Sequence, residues 1–193
     1  MKKLLMLIMG LPILTGYAQK WEKKYESVDD CICGLSKVRK DNKIGYVNKD
    51  GVEVIKPLYD EGLAYNEGYT AVKAGLKWLY FDSTGKAITA AAYDDAFGFS
   101  SGLAAVSKNN LYGFINTKGE TVIPFEFSNA RSFSEGLAPA ANAKGYWGYI
   151  DTKGAWVIKP AYSFSDCFEN GEARVVKGEK ILYIDKTNKV VHE

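Results

Sequence analysis

The chain repeats itself. Aligned on the residue that precedes an aromatic within a short apolar run, Gly45, Leu79, Gly113, Gly148 and Leu182 follow one another at intervals of 34, 34, 35 and 34 residues. Two more columns keep step: Gly51, Gly85, Gly119, Gly154 and Asn188, and Gly34, Gly68, Gly102, Gly136 and Gly171. Three columns in one register define five tandem units. A period in this range restricts the fold to a stack of like supersecondary units, since each unit alone buries too little to fold.

The columns have a physical reading. Ile44, Trp78, Tyr112, Trp147 and Ile181 share an apolar position. Two residues on, Tyr46, Tyr80, Phe114, Tyr149 and Tyr183 are all aromatic, and Val47, Phe81, Ile115, Ile150 and Ile184 follow. Neighbours on a strand point to opposite faces, so apolar residues at successive positions describe a strand covered on both sides. The quartets "NKDG", "DSTG", "NTKG", "DTKG" and "DKTN" come next. An Asp or Asn that bonds backbone N–H groups two residues on, closed by a residue that accepts positive φ, reads as a hairpin turn. A second strand runs to the column Tyr25, Tyr59, Tyr93, Phe127 and Tyr162. A loop then carries Tyr65, Phe99, Phe133 or Phe168 to a third short strand such as "LAAV". Each unit is predicted to be an antiparallel meander of three strands, or four if the loop pairs. No segment after residue 18 has helical periodicity with caps, so the class is all-β.

The first nineteen residues are read separately. Lys2 and Lys3 precede an apolar run from Leu4 to Leu14, and Gly16 and Ala18 have the spacing of a signal-peptidase site. The run is shorter than the roughly 20 residues of a spanning helix. Residues 1–18 are therefore expected to be a cleaved signal peptide, and residues 19–193 a single β-repeat domain without a transmembrane span. The expected location is exported: periplasmic, cell-surface or secreted. Of 25 Lys and Arg, loss of Lys2 and Lys3 leaves 23 to balance 23 acids. A neutral chain without a basic cluster lacks the footprint of a nucleic-acid binder.

Catalytic chemistry finds little material. His192 is the sole histidine, next to the last residue given, so a Ser–His–Asp or Cys–His arrangement has only a terminal base to draw on. Cys31, Cys33 and Cys167 make a poor zinc set. Asp82, Asp151 and Asp185 fall in the turn column, and Glu67 and Glu135 precede a glycine of the loop column, which marks them as scaffold. No cofactor, metal or catalytic residue is expected, and the chain is read as not an enzyme. The alternatives are a carboxylate-dependent hydrolase working in a groove or channel, and a self-assembling structural element. Ligand contacts are sought where a unit departs from its own template. Trp156 stands in the column of Glu53, Ala87 and Thr121; Phe97 in that of Leu63, Arg131 and Asp166; Tyr146 and Leu111 in that of Lys43, Lys77 and Lys180.

"YWGYIDTKGAWVIKPAY" (146–162) together with "FSEGLA" (133–138) resembles the WG repeat, also called KWG, of bacterial envelope and secreted proteins, over roughly residues 20–193. Leu79 and Leu182 depart from its Gly, and only the fourth unit has Trp directly before it. The resemblance implies a β-repeat array of variable copy number and no common activity. An exported, non-catalytic scaffold binding an envelope protein or glycan is the expected function, with Trp156, Phe97, Tyr146 and Leu111 as contacts.

Two architectures fit five units. "WEKKY" near the start aligns with "IKPLY" (55–59), and "NKVVHE" aligns with the start of that same strand, as in a five-bladed propeller-like ring closed by its own tails. The short unit and the variable copy number favour an open, gently superhelical array. A bridge from Cys167 to Cys31 or Cys33, which occupy corresponding loops in different copies, would favour the ring.

Overall fold

The computed structural model describes residues 20–90 and 92–193; the signal-peptide expectation lies outside them. Five antiparallel sheets follow one another along the chain, one per repeat. The first contains β1 (Ser27–Val28), β2 (Leu35–Lys40), β3 (Lys43–Asn48) and β4 (Glu53–Tyr59). The second contains β5 (Glu61–Gly62), β6 (Tyr69–Ala74) and β7 (Lys77–Asp82). The third contains β8 (Asp95–Ala96), β9 (Leu103–Lys108), β10 (Leu111–Asn116) and β11 (Thr121–Phe127). The fourth contains β12 (Asn129–Ala130), β13 (Ala138–Ala141), β14 (Trp147–Ile150) and β15 (Trp156–Tyr162). The fifth contains β16 (Phe164–Ser165), β17 (Glu172–Lys177), β18 (Lys180–Asp185) and β19 (Val190–His192). The loop does pair, through the two-residue strand that opens each sheet. The meander therefore has four strands in every sheet but the second, which has three.

The signature glycine follows from the path of the fourth strand. Between Ile44↔Tyr59 and Tyr46↔Ile55, two steps on β3 oppose four on β4, and the same mismatch recurs between β10 and β11 and between β14 and β15. This wide bulge arches over the glycine. A Cβ on Gly45 would lie 2.6 Å from the Pro57 nitrogen, and one on Gly113 2.7 Å from the Ile123 carbonyl oxygen. One on Gly148 would come closer still to the Ile158 carbonyl. Pro57, Pro124 and Pro160 sit in the bulges, on the outer edge of their sheets, where a residue without an N–H costs no ladder bond and blunts edge-to-edge pairing. Where the glycine is Leu79, no regular fourth strand is found among the described residues, and isolated bridges join Trp78 to Tyr93 and Phe81 to Ala87.

The one irregular interval in the repeat also has a local cause. In the fourth unit the hairpin between the second and third strands is Asn142–Gly145, closed by Asn142 Oδ1 accepting from the N–H groups of Lys144 (2.9 Å) and Tyr146 (3.1 Å). It replaces tight turns such as Asn109–Asn110, and adds the residue that makes one interval 35.

Adjacent sheets share their cores. The first four aromatics of the third-strand column are fully buried, each against the loop aromatic of the next unit: Tyr46 on Tyr65 (5.1 Å between ring centres), Tyr80 on Phe99 (5.2 Å), Phe114 on Phe133 (5.0 Å), Tyr149 on Phe168 (4.7 Å). Three of these tyrosines also donate to a backbone carbonyl of that loop: Tyr46 to Leu63 (2.6 Å), Tyr80 to Phe97 (2.7 Å) and Tyr149 to Asp166 (2.8 Å). Burial pushes all three hydroxyls well above the ordinary tyrosine range, so they remain donors. The opening strand of a unit lies against the third strand of the unit before, as β5 on β3, β12 on β10 and β16 on β14. Before the first sheet, the segment Trp21–Tyr25 takes the place of a preceding fourth strand. It forms a 3-10 turn, Glu22–Lys24, with the Trp21 ring against Gly51 and Tyr25 donating to Glu53 at 3.1 Å.

The array is open. None of the five sheets closes on itself, and among the described residues no hydrogen bond, ion pair or ring contact joins the first sheet to the fifth. Cys31, Cys33 and Cys167 are all free thiols, so the bridge that would have marked a ring is not made. Gly148→Ala is expected to lower stability by about 1–3 kcal/mol, the usual cost of forcing extra volume into packed structure, measured by urea unfolding. A change inside about 0.5 kcal/mol, typical of neutral surface substitutions, would show that the bulge relaxes freely around a side chain.

Candidate functional site

The carboxylates are largely committed to the frame. In the turn column one side-chain oxygen accepts two backbone N–H groups: Asp82 from Thr84 and Lys86, Asp151 from Lys153 and Ala155, Asp185 from Thr187 and Lys189, all at 2.9–3.0 Å. Asn48 and Asn116 do the same in the first and third units. Glu67 and Glu135 reach across to the next unit instead. Glu67 accepts from the N–H groups of Ser101 (2.8 Å) and Gly102 (2.9 Å), and Glu135 from Gly171 (3.1 Å) while pairing with Lys186 at 2.9 Å. The side-chain hydroxyls of Thr84 and Thr187 hold Asp82 and Asp185 below the usual carboxylate range, and Lys186 does so for Glu135.

The four template outliers divide into two pairs. Trp156 and Phe97 are half-buried and pack against one core cluster, built on Phe114, Phe127 and Phe133. The Trp156 ring meets Phe127 edge-on at 5.6 Å, and Phe97 meets Tyr112 at 6.4 Å. Leu111 and Tyr146 instead face solvent, 39% and 50% exposed, at corresponding positions just after the hairpin between the second and third strands of consecutive units. The structure does not bring the pairs together: one fills an inter-unit gap, the other sits on a rim.

Two further exposed apolar residues lie at or beside the same hairpin of other units and were not singled out by column. Leu76 is 85% exposed in the hairpin of the second unit, and Ile181 51% exposed in the third strand of the fifth. Leu76 had a usable signal, since it is apolar where the first and third units place Asn42 and Asn110 in the turn. Ile181 had none, because its column is apolar throughout and its fellows Trp78 and Trp147 are buried. Trp147 is scaffold: only 8% exposed, it is overlaid by the Arg131 guanidinium at 5.4 Å, and Arg131 also stacks on Phe164 at 4.9 Å.

The remaining reactive groups are dispersed. The His192 ring stacks on Tyr183 at 4.3 Å, with Nε2 2.9 Å from a Glu172 oxygen. Cys31 occupies the place of a loop aromatic yet is exposed, as is Cys33. Cys167 is half-buried, its thiol pKa raised by burial. Among the described residues no group of three or more His, Cys, Asp or Glu is placed to hold a metal, and no helix is long and apolar enough to cross a membrane.

The depressed carboxyl pKa values set the direction of acid stability. Where the folded pKa lies below the unfolded one, the stabilisation is fully present above the unfolded value, about 4, and is lost as pH falls through the folded value. The midpoint of thermal unfolding is therefore expected to fall between pH 5 and pH 3. The double variant Asp82→Asn/Asp185→Asn, which keeps the turn chemistry of Asn48 and Asn116, should fall less. An equal fall in both would remove the turns from the account.

The model of the family described as "WG containing repeat" matches residues 44–78, 80–112, 112–143 and 147–180. No curated protein matches the chain by sequence. Among solved structures it is similar to Hsv2 of Kluyveromyces lactis with loop 6CD replaced by a Gly-Ser linker. That match has a TM-score of 0.56 and 14% identity, over 82% of this chain and 62% of that one. It is also similar to a eukaryotic initiation factor, with a TM-score of 0.56 and 9% identity, over 86% of this chain and 56% of that one. In both cases the chain spans less than two thirds of the other protein's length, and at these identities the likeness is one of fold.

Proposed function

This chain belongs to the WG repeat family, and we propose that it acts as an exported, non-catalytic β-repeat scaffold that binds a protein or glycan of the cell envelope. The observation that carries the reading is the rim. Leu111 and Tyr146 leave the polar pattern of their column and stand in solvent on neighbouring units, with Leu76 exposed in the hairpin of the unit before and Ile181 exposed in the third strand of the unit after. Exposed apolar and aromatic residues at regular spacing supply contact area to a protein surface or a stacking face to a sugar. The polar groups that catalysis would need are engaged in turns and junctions, which supports a binding role. Export is supported by Lys2 and Lys3, the apolar run from Leu4 to Leu14 and the Gly16/Ala18 pair.

The rim is tested by immobilising the chain over envelope extracts and a glycan array, then comparing it with Leu111→Ser/Tyr146→Ser. Both positions are exposed, so the variant should fold with an unchanged circular dichroism spectrum. Its affinity for any captured partner is expected to drop at least tenfold, about 1.4 kcal/mol, as for anchor residues of an interface. Unchanged affinity would move the site off the rim. Expression of the full sequence should yield a mature N-terminus at Gln19; retention of Met1 would refute export by cleavage.

A further inference from the structure

The junction between the first and second sheets departs from the three that follow. At each later junction a side chain beside the loop aromatic donates to the loop carbonyl of the next unit: Asn66 to Phe99 (2.7 Å), Ser100 to Phe133 (2.7 Å), Ser134 to Phe168 (2.6 Å). Ile32 holds that place in the first unit and has no donor. The equivalent acceptor, the Tyr65 carbonyl, receives no hydrogen bond among the described residues. Nor does Cys33 supply the carboxylate by which Glu67 and Glu135 grip the unit that follows them.

The junction leaves a cavity of about 430 Å³, inside the range of about 300–1,000 Å³ for small-molecule sites. Leu35 and Tyr65, 5% and 3% exposed, form its deep wall, and Ile32, 42% exposed, its lip. Lys37 lines it too, but its ammonium is taken by Asp29 at 2.8 Å. Asp30 also lines it, and its carboxylate has no ion pair or hydrogen bond among the described residues.

We propose that this cavity binds a primary alkylammonium group, its stem against Ile32, Leu35 and Tyr65 and its N–H donors directed to the Asp30 carboxylate and the Tyr65 carbonyl. The chemistry excludes the alternatives in turn. An anion would meet two carboxylates and a carbonyl with the only cation already neutralised. An alkane or alcohol would bury apolar surface but form no ion pair with the Asp30 carboxylate. An ammonium on an apolar stem supplies charge, several donors and hydrophobic area at once. The lysine side chain of a partner polypeptide and a free small amine both carry this group. The site depends on the first junction alone, so it stands or falls independently of the rim and of export.

The test is an amide chemical-shift titration of the full chain with hexylamine, hexanol, hexanoate and N-acetyl-lysine methylamide. Hexylamine is expected to shift the amides of Ile32, Leu35 and Tyr65 saturably, with hexanol and hexanoate at least tenfold weaker. Asp30→Asn, at an exposed position, should weaken hexylamine at least tenfold. Ile32→Asn, which supplies the donor that Asn66 supplies one unit later, should close the cavity and abolish the shifts while leaving the amides of Phe133 and Phe168 in place. Saturation by the lysine derivative as tight as by hexylamine identifies a polypeptide lysine as the source, and saturation by hexylamine alone identifies a free amine. Hexanol binding as tightly as hexylamine, or Asp30→Asn without effect, overturns the proposal.

Discussion

Everything in this protein depends on one contact, the insertion of a loop aromatic from each unit against the third-strand aromatic of the unit before. A four-stranded meander of this size has two faces and cannot cover either by itself. The pairs Tyr46–Tyr65, Tyr80–Phe99, Phe114–Phe133 and Tyr149–Phe168 join the five sheets through four core clusters, one at each junction. The tyrosine hydroxyls add direction. Each donates to one loop carbonyl in water-poor surroundings, where an unmade bond is costly, so neighbouring units have one favourable register. Phe114 lacks that bond, and at its junction Ser100 to Phe133 supplies the directed contact.

The same economy explains the polar residues. Asx turns, the Glu67 and Glu135 grips and the hydroxyl bonds consume much of the chain's hydrogen-bonding chemistry in holding units and junctions. What is left over is the solvent-facing apolar rim and the first junction, where Ile32 does not supply the donor found at the later ones. A repeat protein thus separates its two tasks. Columns that agree build the frame, and of the positions that disagree Trp156 and Phe97 are packed into it while Leu111 and Tyr146 stand in solvent.

Much of this was legible from residues alone. Unit number, strand order, turn chemistry and the identity of the core columns each appear several times over, so an accident at one position does not obscure the pattern. The fourth strand, the bulge and the purpose of the signature glycine were less legible. The glycine's neighbours in sequence do not reveal that a backbone arch passes within 3 Å of where its Cβ would be. Only in hindsight do Leu79 and the missing proline of the second unit read as a pair.

The candidate site shows most plainly where a sequence stops. Trp156, Phe97, Tyr146 and Leu111 are the same kind of signal, an apolar residue out of keeping with its column. Two are packed against a core cluster and two stand in water, because exposure depends on which residues of neighbouring strands and units lie against the position. The sequence by itself determined the repeating all-β unit and its core, since those follow from periodicity and local turn chemistry. Tertiary structure alone decided that the array stays open, which outliers are covered, and that a cavity remains where Ile32 has no donor for Tyr65. Those outcomes depend on surfaces meeting between units, and the alternation of residues along one strand carries no record of what will lie against it.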